Sequence, residues 1–463
     1  MNKYKKLAQN TAIFAIGTFS SKILSFIMVF FYSRAMHTSE FGMLDIIINT
    51  ASLLLPIAML GITNSIIRFG LDNDFKKSDV FTTGVVAVGI GFGILLLFCP
   101  LIMRIPDLKQ YVVILYAHIF MSAMRHICSF FVRAKGQLRL FAVDGVLSTF
   151  LTCLFTIIFL IPLKMGIVGY MLAIILADLC SVIFLFWGAH LYEFLDFKTL
   201  NTSLTRKMIR FSLPLMPTSL LWWVVNVSDR YFVKYMIDDA ANGLYAAAYK
   251  VPTVLTLVSA IFLDAWQLSA VSENKSQLRN KFYSNVFKSF EGGVFVVGSV
   301  LILFAKFITY ILLAPSYYAS WQYIPVLILS TVFSCFVVFL GNIYLAQSRN
   351  VATLVTTVAG AVINIILNYF LIRAYGTQGA AIATCISYFT VFIARAVDIK
   401  IQNRDISFCE INVLINTLLM TTQVVVMLKE PKHWILWQVL FVVVITLINL
   451  GSIINIVKRI LKK

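Results

Sequence analysis

The chain has 463 residues, 60% hydrophobic and only 13% charged, against about 45–50% and 25% in soluble domains. So few charges cannot cover a soluble protein of this size, which excludes a soluble enzyme, a disordered chain and a fibrous repeat and leaves a polytopic integral membrane protein. The net charge of +18 would suggest nucleic acid in a soluble protein, but here it must first be set against the rule that basic loops stay inside.

Lys3, Lys5 and Lys6 precede a first apolar stretch of full membrane length, so this helix is expected to be its own insertion signal, with no cleavable leader. Stretches near the ~20 residues that cross the hydrocarbon recur from there to the C-terminus. They predict fourteen spans, at about residues 12–33, 41–61, 80–103, 111–132, 141–162, 167–190, 211–236, 243–265, 287–313, 321–346, 351–372, 377–398, 411–428 and 433–457. With the N-terminus inside, the cytoplasmic segments collect sets such as Arg68/Lys76/Lys77, Arg133/Lys135/Arg139, Lys198/Arg206/Lys207/Arg210, Lys275/Arg279/Lys281/Lys288 and Lys458/Arg459/Lys462/Lys463. Their basic residues outnumber those of the outer loops by roughly three to one, which predicts both termini in the cytoplasm and accounts for most of the positive charge without nucleic acid. Outer connections such as His37–Glu40, Lys164–Met165 and Asp238–Asn242 are too short to fold as domains, and so is the longest inner loop, about 191–210. Cys99, Cys128, Cys153, Cys180, Cys335, Cys385 and Cys409 lie mostly in apolar runs without CxxC spacing, and are expected to act as small apolar residues. No metal or cofactor is expected.

The chain repeats. Gly166-Ile-Val-Gly169 opens span six and Gly376-Thr-Gln-Gly379 opens span twelve, 210 residues on. Glu40-Phe-Gly42 opens span two and Ala241-Asn-Gly243 opens span eight, 201 residues on. The expected fold is therefore all-α and membrane-integral. Two six-helix lobes, 1–200 and 201–405, are related by a pseudo-two-fold axis along the membrane normal, with two further helices in 406–463. Two such halves around a central site are a transporter arrangement.

Ionisable groups within spans cost about 2.5–3.5 kcal/mol each on insertion scales, so they face a cavity or a partner. Thr18, Lys22, Ser25 and Val29 share one face of span one, and Ser219, Trp223, Asn226 and Arg230 share the equivalent face of span seven. Span two adds Asp45, Asn49, Ser52 and Pro56, and span eight places Lys250 opposite Asn49. The simplest expectation is a water-filled cavity between the halves that holds Lys22, Arg230 and Lys250, suited to an anionic group such as a phosphate. The competing reading is internal pairing, of Lys22 with Asp45 or Arg230 with Asp229.

Other candidates carry less. Asp72-Asn-Asp74 has the DxD spacing of some glycosyltransferases, but a charge run in a short loop is more simply a solvated face. Gly89-Ile-Gly-Phe-Gly93 lies inside an apolar span and points to close helix packing. His118, Ser122, Arg125 and His126 cluster on span four, as proton sensors or near the cytoplasmic headgroups. Asp144, Asp178, Asp264 and Glu291 are acids in spans and candidates for ion coupling. No catalytic triad, zinc spacing or Walker motif appears.

Several phrases resemble a family. Gly17-Thr-Phe-Ser-Ser-Lys22-Ile-Leu-Ser25-Phe, Tyr32-Ser-Arg34, Glu40-Phe-Gly42, Leu54-Leu-Pro56 and Ile67-Arg68-Phe69 look like the N-terminal signature of bacterial polysaccharide flippases. These are lipid-linked oligosaccharide exporters of the multidrug/oligosaccharidyl-lipid/polysaccharide superfamily. Arg210-Phe-Ser-Leu-Pro214-Leu-Met-Pro217, Ser228-Asp229-Arg230-Tyr231, Asn242-Gly243-Leu-Tyr245, Ala248-Tyr249-Lys250-Val-Pro252 and Ala265-Trp266-Gln267 resemble it further. The resemblance covers most of the chain and is thinnest over spans 13–14. It implies a two-lobed fold in which spans 1, 2, 7 and 8 line a central cavity. The implied substrate is an isoprenoid pyrophosphate bearing a short oligosaccharide, such as an O-antigen unit of lipopolysaccharide, moved by alternating access across the bacterial inner membrane. Membrane lipids, a coupling ion (H+ or Na+), and polymerase and chain-length proteins are the implied partners. Substrate contacts are expected from Lys22, Ser25, Asp45, Asn49, Asn226, Asp229, Arg230 and Lys250. The alternatives are a peptidoglycan-precursor flippase, a drug/cation antiporter of the same superfamily or, with no large outer loop to carry catalytic groups, a membrane polysaccharide polymerase.

Overall fold

The computed structural model describes residue 24 and residues 26–72, 74–197, 201–213, 215–273, 279–347, 349–408 and 410–461. Among these residues the secondary structure is helical throughout, with no strand. The chain forms two compact units, Met1–Val227 and Ser228–Lys463.

The first unit contains α1 (Phe26–Ala35), α2 (Thr38–Ala58), α3 (Thr63–Leu71), α4 (Lys77–Leu97), the short turns α5 (Cys99–Ile102) and α6 (Pro106–Lys109), α7 (Val112–Ala134), α8 (Leu138–Leu160), α9 (Gly166–Gly188) and α10 (Thr202–Ser212). The division falls within α11 (Leu215–Met236). The second unit continues with α12 (Asp239–Ala248), α13 (Pro252–Glu273), α14 (Arg279–Leu303), α15 (Ala305–Leu312), α16 (Ile324–Ala346), α17 (Asn350–Tyr375), α18 (Thr377–Gln402), α19 (Glu410–Lys429) and α20 (Trp434–Leu461). Thirteen of the stretches expected from hydropathy coincide with one of these helices or a consecutive pair, and of the first, 12–33, most lies outside the described residues. Among the described residues eleven helices are long and apolar enough to cross a membrane, and α12 with α13 makes a twelfth span bent by 42°.

The repeat is written in local geometry. α2 begins at Thr38 and α12 at Asp239, 201 residues on. Both starts are capped: the Glu40 carboxylate accepts the His37 N–H at 2.9 Å, and Asp238 Oδ1 accepts the Ala241 N–H at 2.6 Å. At the turns into α9 and α18, Gly166 (φ 55°) and Gly376 (φ 58°) adopt the left-handed region that other residues avoid. Three residues later Gly169 and Gly379 lie against the preceding helix, and a Cβ on Gly379 would come within 2.0 Å of the Leu371 carbonyl oxygen. The packing pairs repeat as well. α8 packs on α9 as α17 does on α18, α7 on α9 as α16 on α18, and α2 on α7 as α13 on α16.

The copies differ at one place. α2 runs unbroken with Pro56 near its end, whereas Pro252 opens α13 and interrupts the second copy. Proline offers no N–H to the Ala248 carbonyl, which accepts instead from Val251 at 3.3 Å. Lys250 sits in this break.

Close packing replaces hydrophobic drive between helices in lipid. Gly91 of α4 meets α2, and a Cβ there would lie 2.4 Å from the Ala58 carbonyl oxygen, while Gly89 and Gly93 face open space. The glycine run expected to mark close packing therefore does so through its central member. In the second unit Trp266 stacks on Phe339 at 4.4 Å and its Nε1 donates to the Phe339 carbonyl at 3.1 Å.

The glycine contrast gives a test. Gly91→Ala should lower thermal stability in detergent by about 1–3 kcal/mol, because the methyl must push α2 and α4 apart. Gly93→Ala, in the same helix with nothing opposite it, should be neutral or stabilising.

Candidate functional site

In the first unit, the polar stripe of α2 forms as spaced. Asp45 is buried, and Asn49 Nδ2 donates to its carboxylate at 3.0 Å and to its carbonyl at 2.7 Å. The Asn49 carbonyl accepts from Ser52 Oγ at 2.8 Å and from the indole Nε1 of Trp223 at 2.9 Å. Two expected positions, Asn49 and Trp223, are thereby in contact. Asn226 is exposed on α11. Lys22, Ser25 and Thr18 lie outside the described residues.

In the second unit, Asp229 of α11 is the hub. It is 2% exposed and accepts hydrogen bonds from Tyr245 Oη at 2.8 Å, Tyr249 Oη at 2.7 Å, Thr384 Oγ1 at 3.3 Å and the Arg230 backbone N–H at 2.9 Å. Asn364 Nδ2 of α17 donates to Thr384 Oγ1 at 3.3 Å, and Asn364 Oδ1 accepts from Ser228 Oγ at 3.0 Å and Asn368 Nδ2 at 2.8 Å. The Arg230 guanidinium lies over the Tyr249 ring, 4.7 Å from its centroid. Tyr249 thus serves both neighbours, its hydroxyl Asp229 and its face Arg230. Lys250 follows at the break, where the Thr253 hydroxyl donates to its carbonyl. Of the expected contacts, Asp229 and Arg230 both engage Tyr249, and Lys250 is the next residue in the chain. Tyr245, Thr384, Asn364 and Asn368 were not singled out as site residues. The i, i+4 pairs Tyr245/Tyr249 and Asn364/Asn368 were the available signal.

A second intramembrane cluster joins residues that the sequence offered separately. Arg125 of α7 reaches Asp178 of α9 at 3.3 Å and Asp144 of α8 at 3.6 Å, and its Nε donates to Ser181 Oγ at 3.0 Å. Ser181 donates in turn to Asp144, and Ser122 Oγ to Asp178 at 2.5 Å, with His118 Nδ1 3.3 Å from Ser122. Arg125 is therefore an internal partner of two buried acids rather than a headgroup contact. His126 stacks on Phe130. In the DxD segment, Asp72 Oδ1 accepts the Asp74 N–H at 3.0 Å, an exposed turn contact. Among the described residues no three His, Cys, Asp or Glu side chains gather as a metal site requires.

Apolar helices that pack in a repeated order around buried polar hubs define the class, a polytopic helical membrane protein. Within it the chain belongs to the family described as polysaccharide biosynthesis protein, whose sequence pattern matches residues 7–267. An uncharacterised membrane protein of Methanocaldococcus jannaschii is 24% identical over 251 residues, 51% of this chain and 59% of that protein. The chain thus matches less than two thirds of that relative's length. In structure, the lipid II flippase MurJ is similar with a TM-score of 0.72 at 16% identity, covering 98% of this chain and 100% of MurJ. An inward-facing multidrug-resistance transporter of the MATE family gives 0.68 at 14% identity, over 83% of this chain and 96% of that one. A superfamily transporter from Pyrococcus furiosus gives 0.56 at 15% identity, over 85% and 95%. These likenesses establish a shared fold.

The Arg125 cluster has a signed prediction. Arg125→Gln strands two buried carboxylates and should destabilise the protein by about 3 kcal/mol, since removing one member of a buried ion pair leaves an uncompensated charge. Arg125→Gln/Asp144→Asn should recover part of that loss. Thermal unfolding of the purified protein in detergent measures both.

Proposed function

We propose that the protein is a flippase that moves an isoprenoid-pyrophosphate-linked oligosaccharide from the inner to the outer leaflet of the plasma membrane for surface polysaccharide assembly, by alternating access. The observation that carries this reading is Arg230 of α11, whose guanidinium lies over the face of Tyr249 and beside the buried Asp229. The planar fork of an arginine held against this ring matches phosphate oxygens. In this reading Lys250, in the Pro252 break, is a second cation for the pyrophosphate, and Lys22, Ser25, Asp45, Asn49, Asn226 and Asp229 are further substrate contacts. Membership of the polysaccharide biosynthesis family supports the substrate class. A coupling ion, H+ or Na+, supplies the driving force in this reading, both termini are cytoplasmic, and the polymerase and chain-length proteins of the pathway act on the exported unit. Likeness to the lipid II flippase MurJ over 98% of the chain favours a peptidoglycan precursor as the second reading.

Deleting the gene should stall surface polysaccharide while lipid-linked units accumulate on the cytoplasmic face. Units that reach the outer leaflet but stay unpolymerised would instead mark a polymerase, and arrested cell-wall synthesis would select the peptidoglycan reading. In complementation at matched membrane abundance, Arg230→Gln and Lys22→Gln should each lose most transport, and Arg230→Lys part of it. Three hydroxyls besides Arg230 engage Asp229, so Arg230→Gln/Asp229→Asn should not restore function. Recovery in that double variant would reduce Arg230 to an internal ion-pair partner.

A further inference from the structure

The helices α19 and α20 are held to α14 by two polar rungs buried in the second unit. The rung beginning at Ser299 is neutral and closed. Ser299 Oγ donates to Gln423 Oε1 at 2.8 Å, and Gln423 Nε2 donates to the Ser299 carbonyl and to Gln438 Oε1, both at 3.0 Å. Gln438 Nε2 returns to the Gln423 carbonyl at 3.0 Å. The other rung lies eight residues earlier on α14, about 12 Å along the helix. There Asn416 and Asn449 bond reciprocally at 3.3 and 3.0 Å, and Asn416 Nδ2 also donates to Glu291 Oε1 at 3.1 Å. Gly292 brings the backbone close, for a Cβ there would lie 3.0 Å from Asn449.

Glu291 is 0% exposed. Among the described residues its Oε2 has no hydrogen-bond partner. The charged and titratable groups around it are few. On α14 the nearest is Lys288, one turn earlier and exposed, with Arg279, Lys281 and Tyr283 nearer the start of the helix. α16 offers Cys335 and Tyr344, while α19 has charges only at its ends, Glu410 and Lys429. α20 carries no charge before Lys458, about 13 Å beyond Asn449. α15 holds Lys306 and Tyr310, and α13 contains Asp264 and Glu273. A carboxylate buried with one amide donor, its nearest cation the exposed Lys288 one turn away, is costly to keep charged, and such groups neutralise. The neutral rung shows that an uncharged polar side chain on α14, there Ser299, suffices to dock the helices. A carboxyl is the form that can also release a proton.

We propose that Glu291 is a proton-binding site of the membrane domain, and that its protonation controls the joint between α14 and the α19–α20 pair. With the proton on Oε2 the rung is neutral and the helices dock. Loss of the proton leaves a buried charge with the Asn416 amide as its recorded hydrogen-bond donor, and the joint loosens. The sign follows: docking is complete at low pH and weakens as pH rises through the titration of Glu291. This inference does not depend on the transported substrate.

The experiment is infrared spectroscopy of the full chain in lipid vesicles, comparing wild type with Glu291→Gln across pH. The difference spectrum should show a protonated carboxylic acid band that is lost at alkaline pH. The thermal midpoint of wild type should fall with rising pH more steeply than that of Glu291→Gln. Should the variant fail to fold, wild type carrying carbon-13 glutamate isolates the same band, because Glu40, Glu193, Glu273, Glu410 and Glu430 all sit at helix ends or in loops. A carboxylate signal for Glu291 at every pH, equal pH slopes in the two proteins, or a band that responds to sodium rather than to acid would overturn the proposal.

Discussion

Within the hydrocarbon there is no water to satisfy a polar group, so every buried donor and acceptor must find its partner inside the protein. That constraint organises this molecule more than hydrophobic burial does, because lipid is as apolar as the core. Three polar hubs lie where helices meet. Asp229 with Tyr245, Tyr249 and Thr384 ties α11, α12 and α18. Arg125 with Asp144 and Asp178 ties α7, α8 and α9. Arg395, 1% exposed, donates to Thr356 and Thr357 of α17 and to the Val337 carbonyl of α16 at 2.8–3.1 Å. The guanidinium passes beside Gly341, where a Cβ would stand 2.9 Å from Nη1. Between the hubs, aromatic stacks such as Trp266 on Phe339 fill the interior.

The same constraint explains what the sequence disclosed. Span positions were legible because twenty apolar residues in lipid have one stable outcome, a helix. The repeat was legible at Gly166 and Gly376 because a left-handed turn excludes side chains, so the glycines mark the same turn in both copies. Asn49 with Asp45 was legible because i, i+4 neighbours on a helix meet whatever surrounds them. Partners on different helices were not. Arg125, Asp144 and Asp178 stood out singly as charges within spans, but nothing in their spacing says that α8 and α9 present their acids to one arginine. Thr384 and Asn364 were harder still, since a threonine or asparagine in an apolar helix usually bonds its own backbone. The distinction between Gly91 and its neighbours Gly89 and Gly93 likewise needs the position of Ala58 across the interface.

The break at Pro252 gives a reason, separate from the cations, to place function beside Lys250. A non-helical turn exposes backbone groups that lipid cannot satisfy, so it persists only inside protein or along a water-filled cavity. Here the repair is local. Lys250 N–H donates to the Ala247 carbonyl at 3.1 Å and Val254 N–H to the Val251 carbonyl at 3.1 Å, both tighter than the helical repeat, and Thr253 covers the Lys250 carbonyl. The first copy, with α2 continuous through the equivalent residues, shows that the six-helix unit does not need the interruption to fold. A break confined to one copy, built around a lysine and next to the Asp229–Tyr249–Arg230 hub, is an asymmetry that packing alone does not demand. In broken membrane helices the exposed backbone and the charges near it serve the same ligand. The second unit thus carries at one bend a lysine and an interrupted backbone that the first copy does not have at the equivalent residues.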